Sequence, residues 1–384
     1  MESPKPTTVV VIGGSNAGVS VSHGLLKQIP GVKVILINPS DKYYFNVAAP
    51  RVVAKPNAFS PEQYIFSILE AFEQYPASSF QFVLGKATKF EPGAKTVTVD
   101  STGKLSTISY DYLVIASGST SLATRGQGST KVPFKSTEGE DLQAAIAEAQ
   151  KTLAAARSII IGGGGPVGVE LAGELVDVFS DRKDITLVTA SRQMLPSLKA
   201  GTGSAALKLL KARGVRVLSS RSVEKATQHP VSKEWTVTLD GGEKISADVY
   251  VSATGVLPNN EFIPSSFLNE DGWVKVDNEF RALAAMIDGR KTYIYAVGDI
   301  THHPLRTLYR IPDQIPVVVN NLKVEITGHG KRMTYKPSEK PSMLVPVGRS
   351  SGTGQLGGWT MWSWMVVLFK SKDFFISKAA TYIN

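Results

Sequence analysis

Hydrophobic positions along this chain fall into short, nearly unbroken runs that end in glycines, alternating with longer stretches of helical spacing. Residues 7–14 (T-T-V-V-V-I-G-G) are a β-branched run closing on glycine, as a strand buried on both faces of a parallel sheet does. A helix-compatible stretch follows to about Gln28, and 32–38 (V-K-V-I-L-I-N) makes a second strand. Strand, glycine turn, helix and strand in that order define a βαβ unit. Residues 81–90 and 94–100 read as short strands, and 110–118 (Y-D-Y-L-V-I-A-S-G) as a buried strand running into a small-residue turn.

After a loop rich in Gly, Ser and Thr (117–137) and a helix expected over 138–155, the pattern restarts. Residues 158–161 read as a strand, followed by a glycine turn, a helix through about Phe179 and a strand at 185–189. A helix is expected at 205–213 and a strand at 214–219. W-T-V-T-L at 235–239 is expected to pair with 244–252 across the turn Asp240-Gly241-Gly242. The strand 249–253 ends in A-T-G, and 293–297 runs into Gly298-Asp299. One syntax used twice predicts a duplicated α/β fold with two Rossmann-like units.

At 384 residues the chain exceeds the size of a single core, so two or three domains are expected. Cysteine is absent, which excludes disulfides, thiolate metal sites, iron–sulfur clusters and any Cys nucleophile or redox pair; no metal site is expected. The net charge of +9 is uneven: residues 320–384 hold nine Lys/Arg against three acids. That excess suits an anionic face such as a membrane surface or nucleotide phosphates. No apolar run approaches the roughly 20 residues that cross a bilayer. The start, Met1-Glu2-Ser3-Pro4, lacks a signal-peptide core and has Glu2 where N-myristoylation requires glycine. The expectation is an intracellular protein, cytoplasmic or peripherally associated with mitochondria or lipid, not secreted.

The glycine turns carry the chemistry. A dinucleotide pyrophosphate takes backbone N–H donors at a helix N-terminus with no side chain in the way, hence G-x-G-x-x-G. The second copy has all three as Gly163, Gly165 and Gly168, with Pro166 and Val167 opening the helix. The first reads Gly13-Gly14-Ser15-x-Ala17-Gly18, a serine replacing the middle glycine. Roughly 20 residues later an acid normally holds the adenosine ribose; Asn38 stands there after the first turn. After the second the strand ends Val188-Thr189-Ala190-Ser191-Arg192 without an acid. A carboxylate would repel a 2′-phosphate, whereas Thr189, Ser191 and Arg192 would accept one, so this site is expected to take NADPH alongside NADH; the alternative for Arg192 is a solvated surface residue.

In order, 13–18, A-S-G at 116–118, G-G-G-P-V-G-V-E-L-A-G-E at 163–174, A-T-G at 253–255 and Y-A-V-G-D at 295–299 resemble the two-dinucleotide-binding flavoprotein oxidoreductases. The missing cysteines set it apart from their disulfide-reducing members. F-N-V-A-A-P-R at 45–51 and F-K-S-K-D-F-F-I-S-K at 369–378 resemble the ferroptosis suppressor and apoptosis-inducing-factor-like, mitochondrion-associated branch. That resemblance implies a FAD domain (1–125 and 256–318), an inserted NAD(P)H domain (126–255) and a small α+β C-terminal domain (319–384). It implies FAD contacts from the first turn, Asn38, Lys42, Asn46, Val47, Arg51, Ala87, Ala116, Ser117, Gly118, Gly298, Asp299, Gln314 and Ile315. For the nicotinamide cofactor it implies the second turn, Glu170, Thr189, Arg192, Thr254 and Gly255, and it makes Glu170 and Lys336 the catalytic candidates.

The implied reaction passes hydride from NAD(P)H to FAD and electrons on to a quinone or another small lipophilic acceptor. Backbone donors around 314–318, after Pro312, would face developing charge on the flavin, with Lys336 or Lys323 adding to them. Residues 357–370 (G-G-W-T-M-W-S-W-M-V-V-L-F-K) have the composition of an interfacial anchor or a lid for a greasy acceptor. The alternative is a strand–helix element packing its aromatics inward. Two other functions fit the same fold: a reductase of a protein partner or of a secondary metabolite, and a DNA-binding protein, which ranks low because no aromatic-interleaved basic motif is visible. A homodimer is compatible with the chain.

Overall fold

The computed structural model describes residues 6–137, 139–284, 293–337 and 340–384. Met1–Pro4, the expected helix start at Glu138 and the acid Glu339 lie outside them. Five parallel strands form the first sheet, in the order Ile294–Ala296, Tyr112–Ile115, Thr8–Ile12, Lys33–Asn38 and Phe80–Leu84. Val9, Val10 and Val11 at its centre are fully buried, as both faces of a parallel strand inside a sheet are covered. The second parallel sheet runs Arg216–Ser219, Asp184–Thr189, Ser158–Gly162 and Val249–Ser252. Each sheet is accompanied by a three-stranded antiparallel meander: Lys86–Glu91, Thr96–Ser101 and Lys104–Ser109 in one unit, Val223–Gln228, Trp235–Leu239 and Lys244–Ala247 in the other. The duplication expected from the pattern is therefore present down to its accessory strands.

Three expected elements come out differently. The run 81–90 splits at Gly85, whose N–H donates to the Asn38 carbonyl and whose missing side chain leaves room for Ser101 and Val99. Only Lys244–Ala247 pairs with Trp235–Leu239, because the Asp248 carboxylate accepts from the Arg157 and Ser158 N–H groups and turns the chain into the parallel sheet. The helix expected at 205–213 begins earlier, at Ala200. The chain from residue 311 forms the helix Ile311–Thr327, so a border at 318/319 falls inside it; Val317, Val318, Val319 and Leu322 pack into the main core.

A third, antiparallel sheet (Met343–Pro346, Gly352–Leu356, Trp359–Met361) and a short helical segment end the chain. Its terminus is pinned to the first unit. His23 Nε2 donates to the Ile383 carbonyl at 2.9 Å, its Nδ1 accepts from the Tyr75 hydroxyl, and its ring stacks on Phe72 at 4.0 Å. Burial lowers the His23 pKa to about 4, so the ring is neutral and holds this arrangement near neutral pH. Among the described residues no helix is long and apolar enough to cross a membrane.

Candidate functional site

The two glycine turns are geometrically equivalent. Gly13 has φ +113° and Gly163 φ +120°. A Cβ on Gly13 would lie 2.2 Å from the Ala116 carbonyl oxygen, and one on Gly163 2.3 Å from that of Ala253. Gly18 and Gly168 sit equally tight, their Cβ positions 1.8 and 2.0 Å from the carbonyls of Gly13 and Gly163. Both turns thus press strand end against helix start. Ser15 and Gly165 occupy the same extended position before the helices Asn16–Gln28 and Pro166–Phe179. The Ser15 hydroxyl makes no capping bond, and nothing lies within 4 Å of a Cβ on Gly165.

Around the first turn opens a cleft of about 1340 Å³, part of it facing solvent. Gly13, Gly14, Ser15, Ala17, Asn38, Asn46, Val47, Ala87, Ala116, Ser117, Gly118 and Asp299 line it, a large share of the residues expected there. Asn38 braces the turn: its Oδ1 accepts from the Gly14 N–H at 2.8 Å and its Nδ2 donates to the Ser40 carbonyl. Pattern reading missed Lys86, Ser119, Lys135, Thr137, Asn259 and Arg306, all in the lining. Several belong to the Gly/Ser/Thr-rich loop, which has no periodicity to read. Asp299 Oδ2 accepts from Lys135 Nζ and Ser119 Oγ, both at 2.9 Å. Burial works to raise this carboxyl, but the Lys135 charge and the two hydrogen bonds outweigh it and hold it below its ordinary value. Gln314 supports the same turn from behind, its Oε1 accepting from the Gly298 N–H at 3.0 Å.

Two expected contacts do not reach the cleft. Lys42 is exposed and pairs with Asp41, and Arg51 is buried against Glu174 at 2.7 Å, away from the lining. Gly298, Gln314 and Ile315 are not in the lining, where Ile311 represents the helix of the latter two.

At the second turn, Thr189 is buried beside Gly164, and Arg192 projects into solvent three residues beyond the strand end. Thr254 bonds Ser252 at 2.9 Å, and Gly255 has φ +107°. One turn into the helix, Glu170 is buried and accepts from Lys370 Nζ at 2.7 Å. Lys370 also donates to the Leu344 carbonyl. Burial raises the Glu170 pKa; Lys370 opposes the shift without cancelling it, while neighbouring Glu174 adds to it. Lys336, expected near the flavin, is exposed and outside the cleft lining, and the lysine that meets Glu170 is the largely covered Lys370. Two hundred residues separate that pair, and nothing local in the sequence joins them.

The model of the pyridine nucleotide-disulphide oxidoreductase family matches residues 7–321. The chain belongs to this family. Its cofactors are accordingly FAD and NAD(P)H, and two features of the cleft fit FAD. Thr137 Oγ1 and Asn259 Oδ1 are buried in cleft-lining residues with no hydrogen-bond partner, as seats for polar ligand atoms are. The Ser15 hydroxyl lines the cleft at the start of the helix Asn16–Gln28 and caps nothing, so it is left to meet a phosphate oxygen. Within the family, oxidoreductase ptaL of Pestalotiopsis fici is 35% identical over 93% of this chain and 94% of its own. Ferroptosis suppressor protein 1 of Taeniopygia guttata is 26% identical over 97% and 94%. The solved structure of NDH2 from Plasmodium falciparum with NADH superposes at a TM-score of 0.76, covering 98% of this chain and 99% of its own at 14% identity.

Proposed function

We propose that this protein oxidises NAD(P)H and delivers the electrons, through FAD, to a quinone-type lipophilic acceptor. The observation that carries the reading is the buried Glu170–Lys370 pair. It joins the helix of the nicotinamide turn to the segment that also bears an exposed aromatic surface, Trp359, Trp362, Trp364, Leu368 and Phe369. An NAD(P)H site and a greasy surface thus meet through one contact. Oxidoreductase ptaL, 35% identical over 93% of this chain, supports the oxidoreductase part of the reading.

Bound FAD supplies hydride acceptance and stepwise electron release, so the chain's own residues need only hold, orient and shield. The Ser15 hydroxyl and the helix start at Ser15–Asn16 would take the FAD pyrophosphate, and Asp299 with Ser119 would take hydroxyl groups further along. Gly163, Gly165 and Gly168 would receive the pyrophosphate of NAD(P)H. Glu170, kept in place by Lys370, would orient the nicotinamide. Thr189, Ser191 and Arg192 would accept the 2′-phosphate, since no carboxylate stands there to repel it.

Turnover of NADPH and NADH should be measured with a short-chain ubiquinone analogue, with ferricyanide and with no acceptor. Acceleration by the quinone is expected. Rapid flavin bleaching by NADPH without any quinone effect would move the acceptor to another class. Arg192→Glu should weaken NADPH use by about tenfold or more and NADH use little, from the loss of one charge-assisted phosphate contact; equal effects would refute the coenzyme assignment.

A further inference from the structure

Arg51 was expected to touch FAD, yet its donors are engaged elsewhere. Nε and Nη2 donate to the two oxygens of Glu174 at 2.7 and 2.8 Å, and Nη1 donates to the Lys372 carbonyl at 3.1 Å. The guanidinium carbon lies 4.5 Å from the centre of the Phe374 ring. Arg51 is 4% exposed and Glu174 fully buried. This is a bidentate fork with a cation–π contact on one side, a geometry that tolerates little angular error.

The contact joins three elements. Arg51 belongs to the helix Ala49–Ala54, which directly follows the cleft-lining Asn46 and Val47. Glu174 lies one turn beyond Glu170 on the helix of the second glycine turn. Lys372 and Phe374 follow Lys370 on the C-terminal segment. The same helix has no slack on its other side, since a Cβ on Gly173 would lie 2.7 Å from the Gly348 nitrogen.

We propose that Arg51 and Glu174 form a positioning pair that sets the register between the two nucleotide-binding units and delivers Lys370 to Glu170, rather than a FAD contact. This rests on the reading that hydride passes between the two bound nucleotides. To reach FAD, Arg51 would have to leave a fully buried carboxylate without its partner. Such a pair is weak evidence for stability but well suited to fixing one geometry. Hydride transfer needs that, because displacements of about 1 Å can slow such steps about a hundredfold.

The test uses full-length holoprotein carrying Glu174→Gln, Arg51→Met, and the double substitution R51M/E174M, which replaces the charges with apolar groups of similar volume. FAD content, single-turnover flavin bleaching by saturating NADPH and by its C4-deuterated form, and hydrogen exchange of residues 363–384 with and without FAD are recorded. A positioning pair retains FAD in Glu174→Gln and in the double variant. It slows bleaching by about tenfold or more with the deuterium effect enlarged, and it speeds exchange of the C-terminal segment even in apoprotein. If Arg51→Met loses FAD while Glu174→Gln keeps both FAD and wild-type bleaching, Arg51 is a FAD ligand and the proposal fails. It fails equally if the double variant bleaches and exchanges as wild type does. Should wild-type flavin itself resist NADPH and NADH, the oxidoreductase reading falls instead, and exchange of the apoprotein still decides the pairing.

Discussion

Glu170 and Asp299 show two carboxyl groups driven apart by their surroundings. Asp299 has two donors, one of them the Lys135 ammonium, and these outweigh its burial, so its folded pKa is depressed. Its stabilising contribution is present above the ordinary carboxylate range and disappears as pH falls through the depressed value. Glu170 has the opposite sign. Burial raises it despite Lys370, so the folded state holds the proton more tightly than the unfolded chain does. Its contribution is most favourable at low pH and declines as pH rises through the raised value. Lys370→Met removes the opposing cation and should widen that difference. Urea unfolding should show the variant destabilised by about 3 kcal/mol at pH 8, the cost of orphaning a buried charge, and by clearly less at pH 5. Adding Glu170→Gln should abolish the excess pH dependence. A variant whose loss relative to wild type is the same at both pH values would mean that Glu170 does not carry the effect.

At the scale of elements, the two glycine turns offer a selective test, because they share geometry but not ligand. Gly163→Ala puts a methyl group 2.3 Å from the Ala253 carbonyl at φ +120°, so the strand–helix contact must open. The expected protein is yellow, with FAD bound, and oxidises NADPH with a KM raised by about tenfold or more; the backbone strain alone amounts to about 1–3 kcal/mol. Gly13→Ala should instead yield protein that loses its flavin on gel filtration. Loss of flavin from Gly163→Ala would show that the two sites are not separable. Elements of this kind were legible beforehand, because β-branched runs, glycine turns and the following helices are each written within about 30 residues. What escaped was non-local. Whether 244–252 continued one ribbon or crossed into the parallel sheet was decided by Asp248 capping a strand ninety residues upstream. Lys370 looked like part of an apolar run until Glu170 supplied its partner, and Lys135 sat in a loop with no pattern until Asp299 claimed it. Periodicity reports which face a residue takes, not which distant charge it meets.

For the molecule as a whole, charge and greasiness gather at the same end. Trp359, Trp362 and Trp364 are 82%, 70% and 61% exposed, an unusual concentration for rings that ordinarily bury their faces. Of the two readings of this stretch, inward packing does not hold for these three rings, and an exposed aromatic surface does. Arg349, Lys372 and Lys378 are exposed on the same terminal segment. Rings of this kind sink into a lipid headgroup boundary while cations near them meet anionic headgroups, at about 1 kcal/mol for each basic residue near the surface. Such docking would place a quinone dissolved in the bilayer beside the segment whose Lys370 reaches Glu170. Sedimentation with vesicles of phosphatidylcholine containing phosphatidylserine should therefore pull down the wild-type protein, more weakly as salt rises. Replacing all three tryptophans by serine should cut that partitioning by about a hundredfold or more, since each ring that sinks partway contributes about 1 kcal/mol or more. Turnover with water-soluble ferricyanide should stay within about twofold of wild type, because the nucleotide clefts do not depend on these rings. If the triple variant sediments as wild type does, the aromatic surface serves another purpose. If ferricyanide turnover falls with it, the rings hold the C-terminal segment in place rather than a membrane against it.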